Sequence, residues 1–257
     1  MSFFSVKNLS KNFGGLIANN SIDLDVDEGE IRGVIGPNGA GKTTFFNVVS
    51  GFYTPTSGSV EFRGQAIAGL HSSKIAKLGA VRTFQRAALF PDFSVLENVV
   101  VARHLNADTS LMNAIFRHNN KAEAGNIERS KEIIDFLGLK DEQNTLASNL
   151  SHGHQRVLGV AMALATEPKL LMLDEPVAGM NSGEKAVMVG LIKKIRDIWG
   201  ITILLVEHDM KTVMSLCDKI TVLDFGQKLA EGTPDEIINN DKVIEAYLGT
   251  DDIVART

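Results

Sequence analysis

The chain carries one cysteine, Cys217, in 257 residues. No internal disulfide can form, and the expected compartment is a reducing cytosol. The N-terminus, MSFFSVKNLSKNF, lacks the long apolar core of a signal peptide. Long apolar runs are missing too: the longest, Val157–Ala165 and Ile201–Val206, fall well short of the roughly 18–20 residues that span a bilayer. A membrane role therefore has to come through a partner. Positive charge is scarce, with 26 Lys and Arg against 31 Asp and Glu, a net charge of −5 and a pI of 5.7. That excludes a broad basic field for nucleic acid. There is no internal repeat, no low-complexity tract and no heptad run.

What is present is an ordinary globular mixture, 44% apolar and 22% charged. Its length fits one large α/β domain, or a core plus one lobe, and can bury a substantial core without disulfides or metals. Short β-like runs at Phe4–Val6, Ile22–Val26 and Ile31–Ile35 open the chain. A glycine-rich loop follows, then a helix over Lys42–Ser50 closed by Gly51 and a strand at Ser59–Phe62. Antiparallel strands followed by βα alternation predict a mixed sheet. Ser94 and Glu97 have capping-box spacing at the start of a helical stretch; a polar segment, His118–Asn126, separates it from a helix over Ile127–Leu137. Beyond Lys169 the alternation resumes, with buried strands at Leu170–Leu173 and Thr202–Val206. Between them Ser182–Trp199 reads as a helix with Met188, Leu191, Ile192, Ile195 and Ile198 on one face. Lys219–Leu223 and Lys228–Ala230 form a hairpin, and Thr233-Pro234-Asp235-Glu236 starts a capped helix. The division expected is a core over 1–93 and 158–257 with a helical lobe, 94–157, inserted into it.

Gly36-Pro37-Asn38-Gly39-Ala40-Gly41-Lys42-Thr43, with Thr44 after it, matches GxxxxGK[ST] between a predicted strand and helix. Glycines let the backbone curl so that N–H groups point at phosphate oxygens, and the helix start adds its positive dipole end. Lys42 is placed to reach the β- and γ-phosphates and the Thr43 hydroxyl to ligate Mg²⁺. Leu170–Leu173 runs into Asp174, placed to hold Mg²⁺, and Glu175, placed to polarise the attacking water. Together these indicate a nucleotide hydrolase.

Leu150-Ser151-His152-Gly153-His154-Gln155-Arg156 resembles the LSGGQ motif of the ATP-binding cassette (ABC) proteins. The family's other elements stand around it in order: Phe13, Gln85 in Arg82-Thr83-Phe84-Gln85, Gly179-Met180-Asn181 and His208. The resemblance covers essentially the whole chain. It implies a RecA-like P-loop core with an antiparallel β subdomain and an inserted α-helical subdomain. It further implies ATP stacked on Phe13, Gln85 in the catalytic set and beside the metal, and His208 as the switch histidine. Two subunits would pair head to tail, each lending Ser151, Gly153 and His154 to the ATP held by the other. His152 and His154 depart from the motif, whereas Gly153, with its backbone demand, is retained. Both histidines are expected to face solvent or the partner; a sharper reading has protonated His154 strengthening the γ-phosphate contact at mildly acidic pH. Asn181, where Asp is commoner, can cap the helix starting at Ser182.

Val81–Gln85, Leu89-Phe90-Pro91, Val95–Val99, Glu207–Met210 and the tail from Ala230 to Gly249 look like the branched-chain amino acid importers. That resemblance implies a second, related ATPase subunit, transmembrane permease subunits, and a solute-binding protein met only indirectly. The place is then peripheral, on the cytoplasmic face of the inner or plasma membrane. The permease contact is expected near Gln85 and Arg86–Phe93. A soluble cassette ATPase, such as one for iron–sulfur cluster assembly, is the alternative; an inactive module is opposed by Lys42, Asp174, Glu175 and His208.

Overall fold

The computed structural model describes residues 2–83, 89–104 and 120–254, with backbone alone at 104, 120–123 and 248–254. Two sheets carry the fold. The first is antiparallel, ordered β2-β1-β4-β5, from β1 (Phe4–Phe13), β2 (Leu16–Val26), β4 (Ser57–Phe62) and β5 (Gln65–Ala66). Its first two strands run 10 and 11 residues, much longer than the apolar runs that announce them. Register shifts between Val6 and Leu9, and again by Lys11 and Asn12, absorb the breaks in alternation, so polar stretches stay in the ladder.

The second sheet has the order β10-β9-β3-β8-β7-β6. Its strands are β3 (Ile31–Ile35), β6 (Ala80–Arg82), β7 (Leu170–Asp174), β8 (Thr202–Val206), β9 (Lys219–Asp224) and β10 (Gln227–Gly232). All neighbours are parallel except the β9–β10 hairpin. The second sheet is mixed, as expected, through β10 alone, while the N-terminal antiparallel strands pair among themselves as a separate subdomain. Alternation along the central strands sorts their side chains into two cores. Leu171, Leu173, Ile203, Leu205, Ile220 and Val222 face one, and Leu170, Met172, Leu204, Val206 and Leu223 the other.

The helices, in order, are α1 (Lys42–Val49), α2 (Ser72–Lys77), α3 (Val95–His104), α4 (Asn120–Phe136), α5 (His152–Ala165), α6 (Ser182–Trp199), α7 (Met210–Leu216), α8 (Pro234–Ile238) and α9 (Asp241–Val254). α1 packs Phe45, Phe46, Val48 and Val49 into the second core. The Ser94–Glu97 box forms, with the Glu97 N–H donating to Ser94 Oγ at 3.2 Å and the Ser94 N–H to the Glu97 carboxylate at 2.7 Å. α4 starts seven residues before the apolar periodicity, at Asn120 rather than Ile127, so part of the polar segment is helical. Helical backbone here carries no apolar periodicity, so the sequence pattern does not mark its start.

α6 has the expected bounds, and an Asn181–Glu184 capping box opens it. Met188, Leu191, Ile192 and Ile195 are buried, but Ile198 is 64% exposed. Trp199 takes its place, stacking on Phe136 with ring centroids 4.6 Å apart. The drift of a 3.6-residue repeat carries position 198 off the stripe that 188 and 195 define.

Buried Arg32 ties the sheets together. Its guanidinium lies 2.8 Å from Glu30 and 2.9 Å from Glu231 on β10, and it donates to the Asp25 carbonyl on β2 at 2.7 Å. Ile195→Ala is expected to cost about 2–5 kcal/mol, whereas Ile198→Ala stays within about 0.5 kcal/mol. Chemical denaturation of the two variants measures both.

Candidate functional site

β3 delivers the chain to the 36–41 loop at the carboxyl edge of the parallel sheet. Gly36 and Gly41 have φ of +151° and +93°. A Cβ at Gly36 would lie 2.0 Å from the Leu223 carbonyl oxygen, and one at Gly41 2.4 Å from that of Ala18. Nothing but hydrogen fits at either. Carbonyls of the loop are held from behind: Ala40 O accepts from the Gly226 N–H and Gly41 O from Asn19 Nδ2, each at 3.1 Å. Asn38 and Gly39 face outward, as does Thr43 in the first turn of α1; Pro37, Ala40 and Lys42 are buried and Thr44 half-buried. Lys42 Nζ folds back across the loop, donating to Gly36 O at 2.7 Å and Pro37 O at 2.8 Å. Burial holds its ammonium below the usual lysine range, against the opposing pull of the Glu175 charge.

Register brings the acids to this loop. Asp174 on β7 pairs with Val206 on β8, and Val206 with Val34 on β3, so the three strands end in one row. Asp174 shares a face with Met172 and the second core. Its carboxylate accepts from Arg82 on β6 at 2.7 Å. Glu175 stands at φ +47°, a left-handed conformation unusual for a residue with a side chain. Two bonds hold it there: its N–H donates to Val206 O at 2.9 Å, and its carbonyl accepts from Arg156 at 3.2 Å. The turn aims the carboxylate toward His208, whose Nδ1 lies 3.5 Å from Glu175 Oε1. His208 is exposed.

Fully buried Glu207 fixes that geometry. It accepts the N–H groups of Val177 at 3.0 Å, His208 at 3.1 Å and Asp209 at 3.5 Å, locking the loop after β7 to the loop after β8. Burial pushes its carboxyl above the usual range, and the three N–H donors pull it partly back. Asp209, bonded to Lys185 and capping α7, is drawn down to about 2.

Ser151 caps α5, its hydroxyl accepting the His154 N–H at 3.2 Å. Ser151 and His152 are exposed at this helix start. Gly153 is helical and buried, and a Cβ there would meet Glu184 Oε1 at 2.7 Å. Its demand is thus for close packing against α6 in its own chain, not for a special backbone angle. His154 Nδ1 lies 3.4 Å from Glu142, so this ring faces a carboxylate of its own chain.

Phe13, 42% exposed, meets Tyr53 edge-on at 5.3 Å, with Lys11 Nζ 4.9 Å from the Phe13 ring. Gln85 and Arg86 lie outside the described residues. Beyond them, Phe90 and Phe93 stack at 5.3 Å and stand 41% exposed. Buried Asn98 shapes their turn: its Nδ2 donates to the carbonyls of Phe90, Phe93 and Ser94, and its Oδ1 accepts from the Phe90 N–H. A cavity of about 330 Å³ opens beside Phe90, lined by Val81, Thr83, Ala102, Met162 and Ala163.

Sequence reasoning missed the parts played by Arg82, Asn98, Arg156 and Glu207. Strand alternation could have placed Arg82 with Asp174, and Asn98 shows as a polar residue on the apolar face of α3. Glu207 and Arg156 gave no such signal, because each reaches a backbone group remote in sequence, that of Val177 and that of Glu175.

Comparison with known proteins agrees with this geometry. The family model for the ABC transporter matches residues 19–178, and that of the branched-chain amino acid ATP-binding cassette transporter matches residues 227–253. The chain is 44% identical to LivG, the high-affinity branched-chain amino acid transport ATP-binding protein of Salmonella typhimurium, over 95% of this chain and 97% of that one. BraF of Pseudomonas aeruginosa, with the same description, is 43% identical over 95% and 96%. Among solved structures, the ADP conformation of an ATP-binding cassette of an ABC transporter aligns with a TM-score of 0.86 and 30% identity, covering 97% of this chain and 99% of that one. A bacterial ABC transporter cassette in a dimeric structure aligns at 0.76 and 25% identity, covering 90% and 98%. The chain has the α/β fold of the P-loop cassettes and belongs to the ABC transporter family, as an ATP-hydrolysing cassette in the group of branched-chain amino acid transport ATP-binding proteins.

Proposed function

We propose that this chain binds ATP with Mg²⁺ and hydrolyses it as half of a head-to-tail dimer to power import of branched-chain amino acids through transmembrane permease subunits. The observation that carries the reading is the meeting of Glu175, His208 and Asp174 with the 36–41 loop at one strand edge. Lys42 exchanges its two carbonyl partners for β- and γ-phosphate oxygens. Gly36, Pro37, Asn38, Gly39, Ala40, Gly41 and Thr44 line the phosphates, and Phe13 stacks the base. Glu175 polarises the attacking water and His208, within reach of it, holds the charge that develops. Gln85, which lies outside the described residues, is assigned to the catalytic and metal-holding set on the family resemblance alone.

The residues fit a hard cation that arrives with nucleotide. Among the described residues no three His, Cys, Asp or Glu side chains gather to hold an ion by themselves. The donors offered are the outward Thr43 hydroxyl and the Asp174 carboxylate, which leaves coordination positions for phosphate oxygens and water. Held by these donors, Mg²⁺ would supply positive charge against the triphosphate.

Ser151, Gly153 and His154 serve the partner's nucleotide. Exposed Ser151, with Gly153 buried behind it against Glu184, suits that contact, as does the dimeric structure of a related cassette. We divide the chain into a core, 1–93 with 158–257, and a lobe, 94–157, whose last boundary falls inside α5. The stacked Phe90–Phe93 pair and the adjoining cavity suit a short permease helix, which would hold the protein at the cytoplasmic face of the inner or plasma membrane. No helix among the described residues is long and apolar enough to cross a membrane. A solute-binding protein acts only through the permease. The match over 227–253 speaks for an importer over an iron–sulfur assembly ATPase.

Glu175→Gln is expected to lower kcat by about 10²-fold or more while ATP stays bound and the dimer accumulates. Size-exclusion chromatography with a phosphate-release assay reads both, and rapid turnover in a monomer would contradict the assignment. Phe90→Asp is expected to abolish uptake in reconstituted vesicles with basal hydrolysis within about two-fold of native. Equal loss of hydrolysis would place Phe90 in the ATPase instead.

A further inference from the structure

Arg82 is a buried cation that the roles above leave unused. On β6 it follows Ala80 by two residues, so both face the second core, beside Leu170, Met172 and Asp174 of β7. Register pairs Arg82 with Met172 and leaves Asp174 diagonally ahead of it. One terminal nitrogen donates to Asp174 Oδ2 at 2.7 Å. The other donates to Asn47 Oδ1 and Ser50 Oγ, each at 2.8 Å, at the far end of α1. Phe46 and Phe52 flank the guanidinium, with ring centroids 5.3 and 5.4 Å away. Side-chain exposure is 8% for Arg82 and 10% for Asp174. The planar fork therefore has one place to sit. A buried ion pair adds little net stability, because desolvation cancels most of the attraction. Its value here is orientation.

We propose that Arg82 is a positioning residue that makes metal capture by Asp174 depend on nucleotide. By occupying Oδ2 and balancing the carboxylate charge, it leaves a bare divalent cation little to gain at this site. A bound triphosphate would restore the negative charge, and Asp174, held by Arg82, would present its carboxylate in a single orientation. The same guanidinium fixes the end of α1, the helix that carries the phosphate loop, so carboxylate and loop keep one spacing. Arginine suits the task, since it stays charged at every accessible pH and binds through a rigid fork. The inference rests on the reading of Asp174 as a metal-holding carboxylate.

Mn²⁺ binding to the full-length protein, followed by electron paramagnetic resonance with and without ATP, tests both separately. Without nucleotide, Arg82→Met is expected to bind Mn²⁺ on the order of ten-fold more tightly than native protein. Arg82→Lys, which keeps the charge, is expected to stay within about two-fold of native. The gain is expected to vanish in Arg82→Met combined with Asp174→Asn. Should Arg82→Met fail to fold, Arg82→Gln carries the same expectation. Nucleotide-free affinity unchanged by loss of the cation, a gain as large in Arg82→Lys, or a gain that persists without the Asp174 charge overturns the inference. Asp174→Asn alone separates the two readings: weaker Mn²⁺ binding with ATP upholds the metal assignment, and no change removes it together with the role of Arg82.

Discussion

Parallel pairing of β3, β8 and β7 sets where Lys42, Asp174, Glu175 and His208 stand. Each strand is five residues long and buried on both faces, so no residue can slip without turning core side chains to the wrong layer. The row Val34–Val206–Asp174 follows from that registry. The loops leaving these strands carry Lys42, His208 and Glu175 respectively, and three segments remote in sequence thereby share one edge. Crevices at the carboxyl ends of parallel strands are where α/β proteins place ligands, because loops there diverge around a rigid floor.

That floor is made stiff by polar groups acting on backbone. Glu175 occupies a left-handed conformation that two hydrogen bonds enforce, one from a neighbouring strand and one from the helix that opens at Ser151. Through Arg156, the start of α5 and the Glu175 turn are a single mechanical unit. Glu207 performs the same service between two loops, at the expense of burying a carboxyl group. Such arrangements concentrate backbone strain and buried charge at the strand edge where Glu175 and His208 stand.

The outer face obeys similar logic. Asn98, buried on α3, saturates the carbonyls of the Phe90–Ser94 turn and so permits two aromatic rings to stand together in solvent. The two rings stand beside a concave surface that Val81, Ala102, Met162 and Ala163 line, and the Asn98 hydrogen bonds fix the backbone of their turn.

By itself the sequence determined the local features: the Gly36–Thr43 loop, the caps at Ser94, Asn181 and Thr233, the bounds of α6, and the acidic end of β7. Each is written in neighbouring residues, through backbone freedom, capping chemistry or periodicity. Long β1 and β2 strands escaped it because bulges hide the alternation, and the polar start of α4 escaped because propensity leaves no pattern. Tertiary structure alone decided that Trp199 stacks on Phe136, that Gly153 answers to Glu184, that His154 meets Glu142, and that Asp174 is held by Arg82. Those outcomes depend on strand order and helix packing between segments up to nearly a hundred residues apart, and no local pattern encodes which of many possible partners arrives.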